Sequence, residues 1–151
     1  MKLVHRIIIT KFVKESEDLE FTKTVMEQFL PEDEEHSKVR LEEEIVSIDS
    51  FTKMTILRIV TEKERDNKEL VKKLKILLGS DQNRLISQDK SRVDDEGNLF
   101  LRLDSRSLEE RGEGILTDSG DCYHIKILLA SYPKNKSRAE EVARQLFEPN
   151  D

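Results

Sequence analysis

The stretch Asn98–Phe147 constrains the fold of this chain most. It reads NLFLRLDSRSLEERGEGILTDSGDCYHIKILLASYPKNKSRAEEVARQLF. An apolar strand carrying Arg102 leads into a charged connection containing Gly112, Gly114 and Gly120. A second apolar strand, a basic turn around Pro133 and an amphipathic helix follow. In that helix Ala139, Val142, Ala143, Leu146 and Phe147 fall on one apolar stripe at i, i+3, i+4 and i+7 spacing. Two strands closed by such a helix have to bury the stripe against a sheet, which points to a two-layer arrangement.

The rest of the chain extends the same pattern. Leu3 to Val13 reads as a strand, and its Ile7–Ile9 run predicts burial on both faces and a central position. Ser16 with the acids Glu17, Asp18 and Glu20 announces a helix. Leu19, Thr22, Val25, Met26, Phe29 and Leu30 form its stripe, and Pro31 stops it. Lys38–Ile48 alternates as a half-exposed strand, Asp49-Ser50 turns the chain, and Thr52–Thr61 returns as a hairpin partner. Asn67–Leu78 is a second helix, with Leu70, Val71, Leu74, Leu77 and Leu78 inward and Gly79 at a left-handed cap. Asp81 starts a short helix that buries Leu85 and Ile86. Asp94–Gly97 is a turn, Asn98–Asp104 and Asp121–Ala130 are strands, and Ser137–Phe147 is the last helix. The order β-α-β-β-α-α-β-β-α predicts an α+β fold. This is a two-layer sandwich whose mixed, mainly antiparallel sheet has about five strands, with helices packed mostly on one face. No linker divides the chain, so residues 1–151 are read as one domain.

A chain of 151 residues can bury a core without disulfides or metals. Its single cysteine, Cys122, fits a reducing interior. The first thirty residues lack a signal-peptide layout, and no apolar run reaches the length of a membrane span. A cytoplasmic protein with no membrane partner is expected. Charged residues make up 38% of the chain and Trp is absent, a composition common in hyperthermophile proteins.

The net charge of −6 argues against a general polyanion binder. Its distribution matters more. Pro31–Asp49 holds eight acids against two bases, and Val93–Tyr123 nine acids against three bases. Thr52–Arg92 holds eleven bases against six acids, and His124–Arg138 four bases and no acid. Charge therefore alternates in blocks, compatible with a local basic face or with a solvated, salt-bridged surface.

Few residues carry a chemical motif. Cys122 and His124 would share a strand face, but zinc needs three or four ligands and no third is evident. No nucleophile elbow is present, and Cys122 sits in an apolar strand. The glycines after Arg102 form no Walker or Rossmann pattern. Arg106 and Arg111 flank that Gly-containing connection, whose backbone could approach an anion. A connection as long as Ser105–Gly120 is more often functional than a short one. The remaining constellation is a basic strand face. Arg6, Arg58, Phe100, Arg102, His124 and Lys126 all fall in strands; Phe100 shares a face with Arg102, and His124 with Lys126. A surface mixing an aromatic ring with cations can stack bases and hold phosphates. Lys134, Lys136 and Arg138, beside the start of the last helix, add further cationic tips.

Three segments, VHRIIITKFV, DDEGNLFLRLDS and HIKILLASYPKNKSRAEEVARQLF, resemble an archaeal family described as RNA-binding proteins or predicted exosome subunits. The likeness runs across nearly the whole chain. It includes the Gly-aromatic-Leu-Arg-Asp stretch, here Gly97-Asn98-Leu99-Phe100-Leu101-Arg102-Leu103-Asp104. Two positions depart from that family: Ser105 stands where Lys is usual, and Ile48-Asp49-Ser50-Phe51 replaces a Gly-rich, Pro-containing turn. The resemblance implies a fold like that of the large-subunit ribosomal protein that contacts five-S rRNA. It also implies RNA as partner and no established enzyme activity; no cofactor is expected. The expected function is a non-catalytic RNA-binding accessory protein in RNA processing or translation. The alternatives are a protein-interaction module, which the net charge favours, and a small-molecule or nucleotide enzyme using residues 105–120. The expected RNA contacts are Arg6, Phe100, Arg102, Arg106, Arg111, His124, Lys126, Lys134, Lys136 and Arg138.

Overall fold

A computed structural model describes residues 2–149. Five strands and four helices follow in the order β1 (Val4–Lys14), α1 (Leu19–Glu27), β2 (Glu42–Ser47), β3 (Lys53–Thr61), α2 (Glu64–Gln88), β4 (Asn98–Asp104), α3 (Ser105–Arg111), β5 (Cys122–Leu129) and α4 (Lys136–Phe147). The sheet order is β2-β3-β1-β5-β4, and every adjacent pair is antiparallel. The α+β sandwich expected from the sequence is present, with a fully antiparallel rather than mixed sheet.

Alternation assigns the two faces. Ile7, Ile9 and Val13 of β1, Leu57 and Ile59 of β3, Ile125 and Ile127 of β5, and Leu99, Leu101 and Leu103 of β4 are buried. They meet Leu74, Val142 and Phe147 from the helices, and Phe29 from the turn after α1, in one core. Val25, Leu77 and Leu146 pack at its margin. Among the described residues the other face carries no α-helix; the short 3-10 turn Lys90–Arg92 borders it at β4. Ile8, in the run expected to be buried on both sides, lies on this open face and is only half-buried.

Lys11 breaks the apolar inner row. It is 2% exposed and reaches Asp121 at 2.6 Å. Its ammonium also lies 5.3 Å from the centre of the Tyr123 ring. The Tyr123 hydroxyl donates to Glu109 Oε2 at 2.8 Å, and burial followed by that bond raises its pKa far above the usual phenol range. A buried cation is tolerated when it is paired in this way.

Several boundaries differ from the sequence reading. Asp18, not Ser16, caps α1, its carboxylate accepting from Phe21 N at 3.1 Å. Residues 38–41 stay outside β2, although Val39 and Leu41 pack against the core. Gly79 takes φ 81°, ψ 166°, which only glycine adopts readily, and it kinks α2 where the sequence predicted two successive helices.

The connection from residue 105 to 120 is not simply a loop. Asp104 caps α3 by accepting from Ser107 N at 3.0 Å and Ser107 Oγ at 2.7 Å, and Gly112 closes the helix in a left-handed conformation. The following strip runs beside β4, with Asp104 N donating to Ile115 O and Thr117 N to Arg102 O. Gln82 holds it from α2, donating to Gly114 O and accepting from Leu116 N at 2.8 Å. At Gly114 a Cβ would meet Leu77 Cγ at 2.8 Å, so only glycine allows this approach.

Leu74 is fully buried at the centre of α2. Leu74→Ala should cost about 2–5 kcal/mol in denaturant unfolding. A loss below ~0.5 kcal/mol would place that helix face in solvent.

Candidate nucleic-acid interface

Register builds the open face row by row, because directly opposed residues in an antiparallel pair project to the same side. One row crosses all five strands: Glu42 opposes Arg58, Arg58 opposes Thr10, Thr10 opposes His124, and His124 opposes Arg102. The next row runs Val60, Ile8, Lys126, Phe100. Phe12, opposite Ile56, lies on the far side of the His124 row. Thr10, Phe12, Arg58, Phe100, Arg102 and Lys126 thus surround a shallow depression of about 410 Å³.

The side chains within it are ordered by one another. Lys126 Nζ lies 5.8 Å from the centre of the Phe100 ring, a cation–π contact. The Phe12 and His124 rings meet edge to face, with centroids 5.6 Å apart and planes at 76°. Arg102 donates to Asp118 O at 3.1 Å, which aims its guanidinium across the sheet edge. Phe12 and Phe100 keep 40% and 43% of their surface exposed. Among the described residues neither Arg102 nor Lys126 has a carboxylate within 4.0 Å. Arg58 is partly neutralised by Glu44 at 3.9 Å.

His124 is held neutral. Burial, then the nearby Arg102 and Lys11 charges, push its pKa below the ordinary 6.5, while Asp121 opposes them. Cys122 Sγ lies 3.6 Å from His124 Nε2, and burial raises the thiol's pKa. The pair is uncharged at neutral pH. Among the described residues no three His, Cys, Asp or Glu side chains gather to hold a metal.

The other expected contacts are scattered. Arg6 stands on the open face opposite Leu128 but pairs with Glu62 at 3.0 Å. Arg106 and Arg111 do not flank a glycine loop: they lie on α3, which touches α1 in the helix layer. They pair with Glu110 at 3.1 Å and Glu113 at 3.4 Å. Lys134, Lys136 and Arg138 follow the end of β5 beyond Lys126, and Lys136 approaches Asp95 at 4.0 Å. Ser105, at the position where the resembled family usually has Lys, is 3% exposed, and its Oγ has no hydrogen-bond partner among the described residues.

Phe12 and Thr10 were missed from sequence because β1 reads as buried throughout. The signal was the alternate set Arg6, Ile8, Thr10, Phe12. It was disguised because the inner set contains Lys11, while the outer set contains Ile8 and Phe12.

The arrangement predicts a titration. In NMR, the His124 midpoint should lie below 6.5, and Arg102→Ala should raise it by removing a nearby positive charge. An unchanged midpoint in Arg102→Ala would separate the two side chains.

A family model described as RNA binding matches residues 6–129, a span that takes in nearly all of the five-stranded sheet. The chain is 25% identical over 150 residues to RNA-binding protein PAB1135 of Pyrococcus abyssi, covering 97% of this chain and 96% of that protein. It is similar in structure to Mth689, a DUF54 protein of Methanothermobacter thermautotrophicus, with TM-score 0.75, 26% identity and coverage of 97% and 100% of the two chains. AF2318 of Archaeoglobus fulgidus, assigned to DUF54, shares the fold with TM-score 0.78, 24% identity and coverage of 95% and 99%. With more than half its length inside the matched span, the chain belongs to the protein family described as RNA binding.

Proposed function

We propose that this protein binds RNA on the open face of its sheet, as a non-catalytic accessory of RNA processing or translation in the cytoplasm. An exosome-associated role is the form of RNA processing that the family resemblance implies. The observation that carries the binding reading is the depression in which, among the described residues, Arg102 and Lys126 stand beside Phe12 and Phe100 with no carboxylate within 4.0 Å, although the Lys126 charge reaches Asp94. Cations at that position neutralise phosphates, and the exposed rings offer stacking surfaces. Lys134, Lys136 and Arg138 follow β5 in the chain at the start of α4 and add cations at that end of the sheet, Lys136 lying 4.0 Å from Asp95. Arg6, Arg106 and Arg111, each already paired with a glutamate, are secondary contacts at most. Family membership and the name of the Pyrococcus relative support the same reading.

The test is fluorescence anisotropy with short single-stranded and hairpin RNAs across a salt series. Wild type should bind at low salt with a negative slope of log affinity against log salt. Arg102→Ala with Lys126→Ala should weaken binding and flatten the slope by about one unit per lost phosphate contact. No binding at low salt would overturn RNA binding and favour a protein-interaction role, for which the net charge of −6 speaks. Unchanged binding by the double variant would move the site to α2, where Lys68, Lys72 and Lys75 line a groove.

A further inference from the structure

The open face also bears on which form of RNA it takes, an inference that rests on the RNA reading above. We propose that the site takes an unpaired strand, laid diagonally across β4, β5 and β1, with one base on Phe100 and another on Phe12. Three observations converge on this. First, the two half-exposed rings are separated by β5 across the sheet and by four residues along β1, since Phe100 and Ile8 both oppose Lys126. Two strand spacings and four residue rises put their Cα atoms about 17 Å apart. A splayed single strand of about three nucleotides spans that distance, the number of bases an antiparallel sheet typically stacks.

Second, the row between the rings is built for a backbone rather than for a base. His124 of β5 stands midway on the diagonal, with Arg102 opposite it on the edge strand β4 and Lys126 opposite Phe100. A backbone linking the two stacked nucleotides would pass over His124, with Arg102 and Lys126 flanking it on the Phe100 side. The Asp118 carbonyl already fixes that guanidinium, so little of its side-chain freedom remains to be lost.

Third, the cationic strip is narrow and acid-bordered. Glu42 and Glu44 stand on the β2 side. Asp89, Asp94 and Asp118 line the adjoining depression on the β4 side, which shares Phe100 and Arg102 with the first. A duplex presents two charged backbones over a broad front, and its paired, stacked bases offer no free ring face to phenylalanine. One backbone fits between the acids, whereas a second would meet them.

The experiment compares labelled single-stranded hexanucleotides (oligo-U and oligo-A) with a 16-base-pair RNA duplex, using wild type and variants. Phe12→Leu and Phe100→Leu keep apolar volume and remove the ring. The chain contains no tryptophan, so Phe12→Trp and Phe100→Trp each introduce a sole indole whose emission a stacked base quenches. Single strands should bind at least about tenfold tighter than duplex, and each Leu variant should weaken them by about five- to a hundredfold. Both Trp variants should be quenched by single strands. Duplex binding as tight as single-strand binding, still sensitive to Arg102→Ala, would overturn this inference and leave the RNA reading standing. The same holds if the Leu variants bind like wild type and the indoles are not quenched. Failure of every RNA to bind would overturn both.

Discussion

Everything in this molecule depends on the antiparallel register of β1 against β3 and β5. Ile7 opposes Thr61 and Ile127, and Ile9 opposes Ile59 and Ile125, so one row of side chains is committed to the helix layer. A slip of one residue would turn Ile8, Thr10 and Phe12 inward and expose the present core. Burial of Ile7, Ile9, Leu57, Ile125 and Leu101, each almost fully removed from water, makes that slip costly. The same constraint assembles the open face. Arg102, His124 and Arg58 come from three strands far apart in sequence, and pairing alone brings them into line with Thr10.

The helix layer stabilises this arrangement and also orients one side chain of the proposed site from behind. Gln82 of α2 holds the strip after α3 by both ends of its amide. That strip lies against β4, and its Asp118 carbonyl receives Arg102. The length of the connection between β4 and β5 therefore has a structural use: it covers the β4 edge and fixes a guanidinium at the rim. Lys11 plays the corresponding part on β1. Paired with Asp121 and lying by Tyr123, it ties the end of the same connection to the central strand.

Element types and chain order were legible in the sequence because the helical stripes of α2 and α4 are strongly periodic and the hairpin turns carry Asp and Gly. Asp49, for example, accepts from Phe51 N and Thr52 N, both at 2.8 Å, and these bonds lower its pKa. The pairing of Phe100 with Arg102, and of His124 with Lys126, on common faces was also readable from alternation. The open face of β1 was not, since Lys11 inside and Phe12 outside invert the usual code. Nor was α3, a seven-residue helix whose cap, Asp104, sits at the end of a strand and reads as part of it. The ion pairs that occupy Arg6, Arg106 and Arg111 are tertiary or local choices that composition does not specify.

The open face of the sheet is the proposed place where the protein meets RNA. Amide and methyl NMR shifts recorded during titration with a single-stranded hexanucleotide test it most directly. Saturable shifts are expected at Ile8, Thr10, Phe12, Phe100, Arg102, His124 and Lys126, and at Lys136 and Arg138 at the start of α4, with α2 and the remainder of α4 unchanged. Shifts confined to Lys68, Lys72 and Lys75, with the sheet face silent, would contradict it.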